Sequence, residues 1–418
     1  MDPAGFAALV GAWMPIAGVF PPLQNYASAP AKLRFHTGRL ALSALLGRER
    51  HFRKLNSSIA EWRAYRDRAG LLKEQPVPFQ DLAKPQDQLV IIDSAWNSAA
   101  LRAQILSAYR RGLTVATMVH DLIPLVRPDL CPDQAPLEFY DWLEDTLDFT
   151  TYYLANSEAT RRDLQVFLEK RGASQSIKVV PLAQDRVLGP SIMIPKGPLL
   201  DRLDNELYSA AHAFAAVNNE VRRLSAMRYV LCVGSMEARK NNWRMLHAWD
   251  LLRRNLTIDQ VPRLVFAGKS GWMNDDFENF LTSSGHLDGL VVRVEGPSDR
   301  DLDVLYSNCL FTVMPSLYEG WGLPVGESLS YGKTAVISQT TSLPEVGGDM
   351  VRYCDPQSIV SIMEACRDLL VTPELINELE ARIASQRLRS WRDVAGDILA
   401  RPEQGGAVTG RVDQRCGQ

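Results

Sequence analysis

The stretch Pro315-Ser-Leu-Tyr-Glu-Gly-Trp-Gly-Leu-Pro-Val-Gly-Glu327 says more about the fold than any other part of this 418-residue chain. The apolar run Leu310-Phe-Thr-Val-Met314 before it predicts a buried strand, and Pro324 is typical of the first turn of a helix. The stretch therefore predicts a strand, a glycine-rich turn and a helix. Glu319 would lie on the turn and Glu327 in the first turns of the helix.

The glycines and acids of this turn indicate a binding site. Gly320, Gly322 and Gly326 allow a ligand to approach the backbone closely, and the free amides at a helix start attract an anion such as a phosphate. Carboxylates repel an anion, so Glu319 and Glu327 are better suited to accept hydrogen bonds from sugar or ribose hydroxyls. With cations supplied from elsewhere, this combination predicts a nucleotide-sugar site.

Strand and helix patterns alternate in two series, which is typical of parallel α/β layers. The first series predicts strands at residues 88–92, 114–119, 151–155 and 177–180. The second predicts strands at residues 229–233, 264–266, 291–294, 310–314 and 334–337. Residues 182–226, with Gly189-Pro190 and Pro195-Lys-Gly-Pro198, are predicted to connect two domains.

Length and composition fit a two-domain globular protein. The chain is 46% hydrophobic and 23% charged, and its net charge of −3 provides no general attraction to nucleic acid. Its six cysteines show no Cys-x-x-Cys spacing, which favours a reducing cytoplasm over a disulfide framework or a zinc site.

The two ends of the chain differ from the rest. Residues 1–87 are predicted to be an atypical N-terminal segment of the first domain, and residues 401–418 a disordered tail. Residues 3–31 carry no charge, but their prolines disfavour a regular spanning helix. Residues 32–68 hold ten Lys/Arg and three acids, which is either a solvated basic face or a patch for anionic lipid or a lipid-diphosphate acceptor.

The segment Gly234-Ser-Met-Glu-Ala-Arg-Lys-Asn241 joins a predicted strand to a helix that starts near Asn242. Arg239 and Lys240 lie where their charges could neutralise a diphosphate leaving group, for which the arginine fork and the lysine ammonium are complementary. The alternative is an exposed basic turn before a helix.

Two further groups carry alternative interpretations. His120 follows a predicted strand and is either structural or close to a reacting centre, and Asp121 could orient its imidazole or cap the next turn. Asp301-Leu-Asp303 has the spacing of a metal-binding pair of acids. Ser298 lies three residues before Asp301, however, so we predict a helix capping box and no metal site.

Several segments, in one order along the chain, resemble a known family. Glu319 to Glu327 is similar to the Glu-x7-Glu signature of retaining glycosyltransferases with the GT-B fold, in particular glycosyltransferase family four. Further segments resemble the same family, within a region of roughly residues 88–395: Met118-Val-His-Asp-Leu-Ile-Pro124, Ala155-Asn-Ser-Glu-Ala-Thr160, Val233-Gly-Ser-Met-Glu-Ala-Arg-Lys-Asn241, Phe266-Ala-Gly268 and Ser342-Leu-Pro-Glu-Val346. The chain departs from the pattern at Ser235, where the family often has an arginine, and in residues 1–87.

The resemblance implies two Rossmann-like domains that face each other across a cleft. Residues 88–200 would form the acceptor domain and residues 201–400 the nucleotide-sugar-binding domain. The implied activity is transfer of a hexose, with retention of configuration, from a nucleoside-diphosphate sugar to a glycan or polyprenyl-linked glycan acceptor in polysaccharide biosynthesis. GDP-mannose is the first expectation for the donor. No metal, other cofactor or nucleic acid is expected, and the location implied is the cytoplasm, with peripheral membrane contact through residues 32–68 as one alternative.

The resemblance also implies roles for individual residues. His120 would lie at the donor sugar, Glu319 would hold that sugar and its developing charge, and Glu327 would accept hydrogen bonds from the ribose. The other expected donor-binding residues are Gly234, Arg239, Lys240, Gly268, Gly322 and Leu323. No carboxylate is an obvious nucleophile, so the family implies attack on the same face, assisted by the leaving phosphate.

Three other interpretations stay open at this point. One is a sugar-nucleotide epimerase of the same architecture, which needs no acceptor cleft. Another is a catalytically degenerate partner subunit, given Ser235 and the unusual first 87 residues. The third is a dinucleotide-binding oxidoreductase, because Gly320, Gly322 and Gly326 are similar to a dinucleotide fingerprint. That fingerprint has a different spacing and belongs on the first strand of its domain, so it is disfavoured.

Overall fold

A computed structural model of the chain describes residues 83–92, 98–185 and 217–400. From Lys84 onward these residues lie in one compact unit. The predictions for residues 1–31, 32–68 and 401–418, and for most of the connection at 182–226, lie outside the described residues.

The first half contains a four-stranded parallel sheet in the order β1-β2-β3-β4. Its strands are β1 Gln88–Ile91, β2 Thr114–Val119, β3 Tyr152–Ala155 and β4 Ser176–Val179. Its helices are α1 Ala99–Arg110, α2 Ile123–Val126, α3 Ala135–Thr146 and α4 Glu158–Arg171, with a 3-10 turn at Pro128–Leu130. The hydroxyl of Ser157 caps the start of α4, and Gly172 ends it with a φ of 63°.

The second half contains a six-stranded parallel sheet in the order β10-β9-β8-β5-β6-β7. Its strands are β5 Tyr229–Val233, β6 Arg263–Gly268, β7 Val291–Glu295, β8 Thr312–Met314, β9 Ala335–Ser338 and β10 Arg352–Cys354. Its helices are α5 Asn219–Leu224, α6 Asn242–Asn255, α7 Asp275–Ser283, α8 Asp299–Asn308, α9 Leu323–Ser330, α10 Leu343–Gly347, α11 Ile359–Val371, α12 Pro373–Ser385 and α13 Trp391–Leu399.

The strand order of the second sheet reverses next to β5. The chain continues from β5 to β6 and β7 on one side, then returns to β8 on the other side of β5. Ligands of open parallel sheets bind outside the carboxyl ends of the strands at such a switch point. The loops after β5 and β8 carry residues 234–241 and 315–322 to that point.

The alternation of strands and helices is confirmed. Every predicted strand is present, with ends shifted by at most two residues, and the helix start near Asn242 is confirmed. Strand β10, Arg352–Cys354, was not predicted, because three residues with an exposed arginine first give no recognisable apolar run.

The last helix packs back onto the first half. Val394 of α13 lies in one buried cluster with Met118 and Leu154 of the first sheet. Lys178 of β4 donates hydrogen bonds to the carbonyls of Asp397 and Ala400, at 2.6 and 2.7 Å. The halves therefore share a core, and the chain crosses between them again after α12. Within the described ranges, no helix combines the length and the apolar character needed to cross a membrane.

Candidate active site

A buried cluster of two acids and two bases lies at the switch point. Arg239 Nη1 lies 2.6 Å from Glu319 Oε2, and Lys240 Nζ lies 2.8 Å from Glu319 Oε1. Arg239 Nη2 also lies 2.6 Å from Glu237 Oε1. The side chains of Glu237 and Glu319 are only 1% and 7% exposed. The four charges sum to zero, which is the condition for burying them together.

The cluster keeps Glu319 ionised. Burial alone would raise the pKa of this carboxyl, but Lys240 and Arg239 outweigh it and lower the pKa to about 2. Burial would likewise lower the pKa of Arg239, and Glu319 and Glu237 raise it above its ordinary value instead. Glu319 is therefore a fixed negative charge at neutral pH and a hydrogen-bond acceptor only.

The turn after β5 holds both cations in place. Arg239 and Lys240 lie on a 3-10 turn, which ends at Asn241 with a left-handed φ of 61°. Asparagine tolerates this conformation better than most residues. Its Nδ2 donates to the carbonyls of Pro315 and Pro356, at 2.9 and 2.8 Å, so the cationic turn is tied to the loop that bears Glu319.

The loop that bears Glu319 is held by a strained segment after β9. The backbone N–H of Glu319 donates to Thr341 Oγ1 at 3.1 Å, and Ser342 Oγ donates to the carbonyl of Glu319 at 2.9 Å. Thr341 has a φ of 57°, which is a genuine outlier for a β-branched residue. Such strain costs on the order of 1–3 kcal/mol and is typical of functional sites, where surrounding contacts over-determine the backbone.

His120 lies at the end of β2, directly against the same loop. A Cβ on Gly320 would stand 2.2 Å from the carbonyl oxygen of His120, so only glycine permits this approach. The imidazole Nε2 lies 2.7 Å from the carbonyl oxygen of Ile92, just after β1. The carbonyl ends of β1 and β2 and the loop with Glu319 therefore meet at one place.

Asp121 takes the second of its two predicted roles. Its Oδ1 accepts a hydrogen bond from the N–H of Ile123 at 3.0 Å, at the start of α2, so the side chain caps a turn. Burial raises its pKa, against the lowering effects of the Ile123 amide and of Arg239.

Helix α4 connects this region to the second half through hydrogen bonds near its N-terminus and along its first turns. Glu345 accepts hydrogen bonds from the N–H groups of Glu158 and Ala159 at 2.7 and 2.9 Å, at the N-terminus of α4. The hydroxyl of Tyr318, next to Glu319, donates to Asp163 Oδ2 at 2.5 Å. Residues of the second half therefore fix a helix of the first half beside the ion cluster.

Glu327 lies in the first turns of α9 and has a different partner. Tyr306 donates its hydroxyl hydrogen to Glu327 Oε2 at 2.7 Å. The ring of Tyr306 stacks on that of Tyr331, with 5.1 Å between centroids. Burial and the charge of Glu327 raise the pKa of Tyr306 well above its ordinary value, so the phenol remains a donor. Glu327 is thus oriented by a buried tyrosine.

The start of α9 offers free amides. Gly322 precedes the helix with a φ of 103°, and Pro324 lies in its first turn, as predicted. Over the described part of the chain, the backbone N–H groups of Gly322 and Leu323 have no hydrogen-bond acceptor. Free amides at the positive end of a helix dipole suit an anion.

Two predicted glycines lie where strands β5 and β6 end. A Cβ on Gly268 would stand 1.9 Å from the carbonyl oxygen of Gly234, so these backbones touch. Gly234 has a φ of 145° and lies beside the stem of Lys240. Gly268 therefore has a packing role, and Gly234 leaves room for the lysine.

Among residues 83–92, 98–185 and 217–400, no group of three or more His, Cys, Asp or Glu side chains could hold a metal ion. Asp301 accepts from the N–H and hydroxyl of Ser298 at 2.9 and 2.6 Å, and Ser298 Oγ caps α8. The predicted capping box is confirmed.

Four site residues were missing from the sequence prediction. Glu237 lies in the segment Gly234–Asn241, shortly before Arg239 and Lys240. An acid so close to two basic residues could have predicted an ion pair. Glu345 lies inside another quoted segment, but its partner is 186 residues away. Thr341 and Tyr306 carry no local signal, because their roles depend on a strained backbone and on a contact between α8 and α9.

Comparison with known proteins finds relatives for parts of this chain. Residues 219–386 match the family Glycosyl transferases group 1. The O-antigen chain mannosyltransferase B of Escherichia coli is 38% identical over 140 residues, which cover 34% of this chain and 36% of that protein. The serotype-specific mannosyltransferase WbdA of Escherichia coli is 27% identical over 289 residues, 66% of this chain and 32% of that protein. The chain thus spans about a third of the length of these curated relatives.

A solved structure supports the fold. Sucrose-phosphate synthase from Thermosynechococcus elongatus aligns with a TM-score of 0.52 and 18% identity, over 84% of this chain and 78% of that chain. At this identity the likeness concerns the fold alone. With the two parallel sheets, it confirms the predicted GT-B architecture. The chain therefore has the GT-B fold, and its residues 219–386 match the glycosyl transferases group 1 family.

Proposed function

We propose that this chain transfers a hexose, with retention of configuration, from a nucleoside-diphosphate sugar to a glycan or polyprenyl-linked glycan acceptor in polysaccharide biosynthesis. The observation that carries the proposal is the buried, ionised Glu319, held by Arg239 and Lys240 at the switch point of the second sheet. Mannose is the first candidate for the sugar, because the relatives in sequence are named as mannosyltransferases. GDP-mannose is the corresponding donor.

The charges of the cluster explain how a donor would bind. Without a ligand, Arg239 and Lys240 are neutralised by Glu237 and Glu319. A diphosphate brings new negative charge, and both cations can turn part of their hydrogen bonds to it. The free amides at Gly322 and Leu323 can provide further donors. Glu319 is then released to accept hydrogen bonds from the sugar.

The same groups would stabilise the transition state. As the bond from the sugar to the diphosphate breaks, negative charge grows on the leaving oxygen, where positioned cations are most effective. The sugar gains positive charge, which the ionised Glu319 favours. His120 would contact the sugar from the first half. With Arg239 and Lys240 available, we expect neither a divalent metal nor another cofactor to be required.

Glu327 and the N-terminal basic region have separate proposed roles. Glu327, oriented by Tyr306, would accept hydrogen bonds from the ribose hydroxyls. Residues 32–68, with their excess of Lys and Arg, would bring the enzyme to an anionic lipid surface on the cytoplasmic side, where a polyprenyl-linked acceptor is found.

The test combines nucleotide binding with transfer. Thermal unfolding would be measured with GDP, UDP, ADP, dTDP and NAD, with and without EDTA, and transfer from the matching sugar nucleotide to methyl mannoside would follow. We expect stabilisation by one nucleoside diphosphate, unaffected by EDTA, and transfer with retention. Stabilisation by NAD alone, or an epimerised sugar nucleotide without transfer, would refute the proposal.

A further inference from the structure

A cavity of about 430 Å³ lies beside the ion cluster. It opens at the carboxyl end of β2 and is bounded by α2, the 3-10 turn and α3 of the first half. Trp272, from the loop after β6, closes the opposite side, and its indole N–H donates to the carbonyl of Leu130 at 3.2 Å. The cavity therefore has walls from both halves, and its volume is in the range of a small-molecule site.

The walls are apolar over most of their area. Ten of the thirteen side chains that line the cavity are apolar or sulfur-containing: Met118, Ile123, Pro124, Leu130, Cys131, Pro132, Ala135, Phe139, Trp142 and Trp272. The three polar residues are His120, Asp121 and Arg239, which lie next to the loop of Glu319. One end of the cavity thus adjoins the proposed reaction centre, and the rest offers few hydrogen-bond partners.

This distribution decides which part of an acceptor fits. A hexose carries several hydroxyls, and each hydroxyl buried without a partner costs free energy. A hydrocarbon group has no such groups to satisfy and gains by leaving water. The polar end can hold one sugar unit with its attacking hydroxyl, but the apolar walls fit an alkyl or aromatic group attached to it.

We infer that the cavity binds a hydrocarbon group of the acceptor, joined to the sugar that receives the hexose. This inference rests on the proposed function and specifies its acceptor: a short glycoconjugate with an apolar aglycone. The occupied cavity would place the attacking hydroxyl near His120 and Arg239. Acceptors with a hydrocarbon group would then be preferred over free glycans of the same sugar.

The first experiment uses Cys131 as a reporter in the unchanged protein. This cysteine lines the cavity and is only partly buried, whereas the other described cysteines are buried. Labelling with a maleimide at pH 8.5, read by mass spectrometry at each cysteine, allows for the raised pKa that burial gives this thiol. Hexyl mannoside and methyl mannoside would be compared as protecting ligands.

The expected preference follows from the number of methylenes buried. Each buried methylene strengthens binding about fourfold, so two of the five extra methylenes of hexyl mannoside would give about 15-fold tighter binding. We expect hexyl mannoside to protect Cys131 at concentrations where methyl mannoside does not. Equal protection by both mannosides, or by neither, would overturn the inference.

The second experiment fills the cavity. Ala135 lies at the start of α3 and lines the cavity, so Ala135→Phe places a ring there, while Ala135→Ser preserves the space and serves as the control. We expect Ala135→Phe to raise KM for hexyl mannoside at least about 10-fold and to leave kcat/KM for methyl mannoside within about twofold. An equal loss for both acceptors would refute the inference.

Two independent readouts separate this inference from the proposed function. Nucleoside-diphosphate binding and transfer to methyl mannoside report on the proposed function alone. The dependence of Cys131 protection on alkyl length reports on the cavity alone. Absence of transfer to both mannosides would therefore refute the function, and the labelling result would still decide whether the cavity holds a hydrocarbon group.

Discussion

Replacement of Glu319 by Gln should destabilise the protein in a way that depends on pH. The carboxyl pKa is lowered to about 2 by Lys240 and Arg239, against an ordinary value of 4.5. This difference corresponds to about 3 kcal/mol of folding free energy for a buried group, and is consistent with the ~3–5 kcal/mol cost of breaking a buried ion pair. Glu319→Gln should therefore lower the free energy of unfolding by about 3 kcal/mol at pH 7.

The stabilisation that Glu319 provides should decrease as the pH falls. Because the folded-state pKa of Glu319 is lowered, its stabilisation is fully present above pH 4.5 and is lost as pH falls toward 2. By about pH 3, more than half of the ~3 kcal/mol should be gone. Urea denaturation of the wild type and the variant should therefore show a large gap at pH 7 that narrows in acid.

A matched control is available on the surface. Glu378 pairs with Arg382 one helical turn away, and both side chains are largely exposed. Glu378→Gln should change the free energy of unfolding by less than about 1 kcal/mol, with little dependence on pH. The reasoning about the cluster would be wrong if Glu319→Gln and Glu378→Gln unfolded at the same urea concentration at pH 7.

The same variant should affect diphosphate binding and sugar transfer differently. Glu319 competes with a diphosphate for Arg239 and Lys240, so Glu319→Gln should bind the nucleoside diphosphate at least as tightly as the wild type, measured by calorimetry. Transfer should fall at least about 100-fold, since the negative charge that we propose to face the sugar is lost. A parallel loss of nucleotide affinity would contradict the role assigned to Glu319.

The other predictions concern the contacts around the cluster. Gly320→Ala should reduce transfer at least about 100-fold, because the new Cβ would stand 2.2 Å from a backbone carbonyl oxygen. Gly396→Ala is the control and should be neutral in the same assay, because a Cβ at position 396 would have no atom within 4 Å. Tyr306→Phe should weaken nucleoside-diphosphate binding about 5- to 10-fold by removing a hydrogen bond to the charged Glu327, and leave pyrophosphate binding unchanged; equal weakening of both would argue against the ribose role. Glu345→Ala should lower the free energy of unfolding by about 1 kcal/mol and speed amide exchange at Glu158 and Ala159, whose N–H groups lose their acceptor while the Ser157 cap stays; unchanged exchange there would show that this contact is dispensable.

Local chemistry made much of this site predictable. The strand before Pro315, the proline in the first turn of α9 and the capping box at Ser298 depend on residues within a few positions of one another. The alternation of apolar and polar segments was enough to give the two sheets. The place of Glu319 on a glycine-rich turn between a strand and a helix was predicted in the same way and is confirmed.

Contacts between residues that lie far apart along the chain could not be predicted from the sequence. Arg239 and Lys240 were expected to face a diphosphate, but their contacts with Glu319 bridge 80 and 79 positions of the chain. Such contacts depend on the reversal of strand order next to β5, which periodicity does not encode. The sequence likewise allowed two roles for Asp121. The structure shows which one it takes, because its side chain accepts a hydrogen bond from the N–H of Ile123.

Because α13 returns to the first sheet, only certain segments of this fold could be exchanged between related proteins without loss of a packing partner. Arg389, just before this helix, donates to the carbonyl of Pro181 at 2.8 Å, so the end of the described chain belongs to the half where it began. An exchange of the second half between two relatives would need two junctions, one before Tyr229 and one between Ser385 and Trp391. A single crossover would pair the first sheet with a foreign terminal helix. Recombination should therefore have replaced the middle of such chains more readily than their ends.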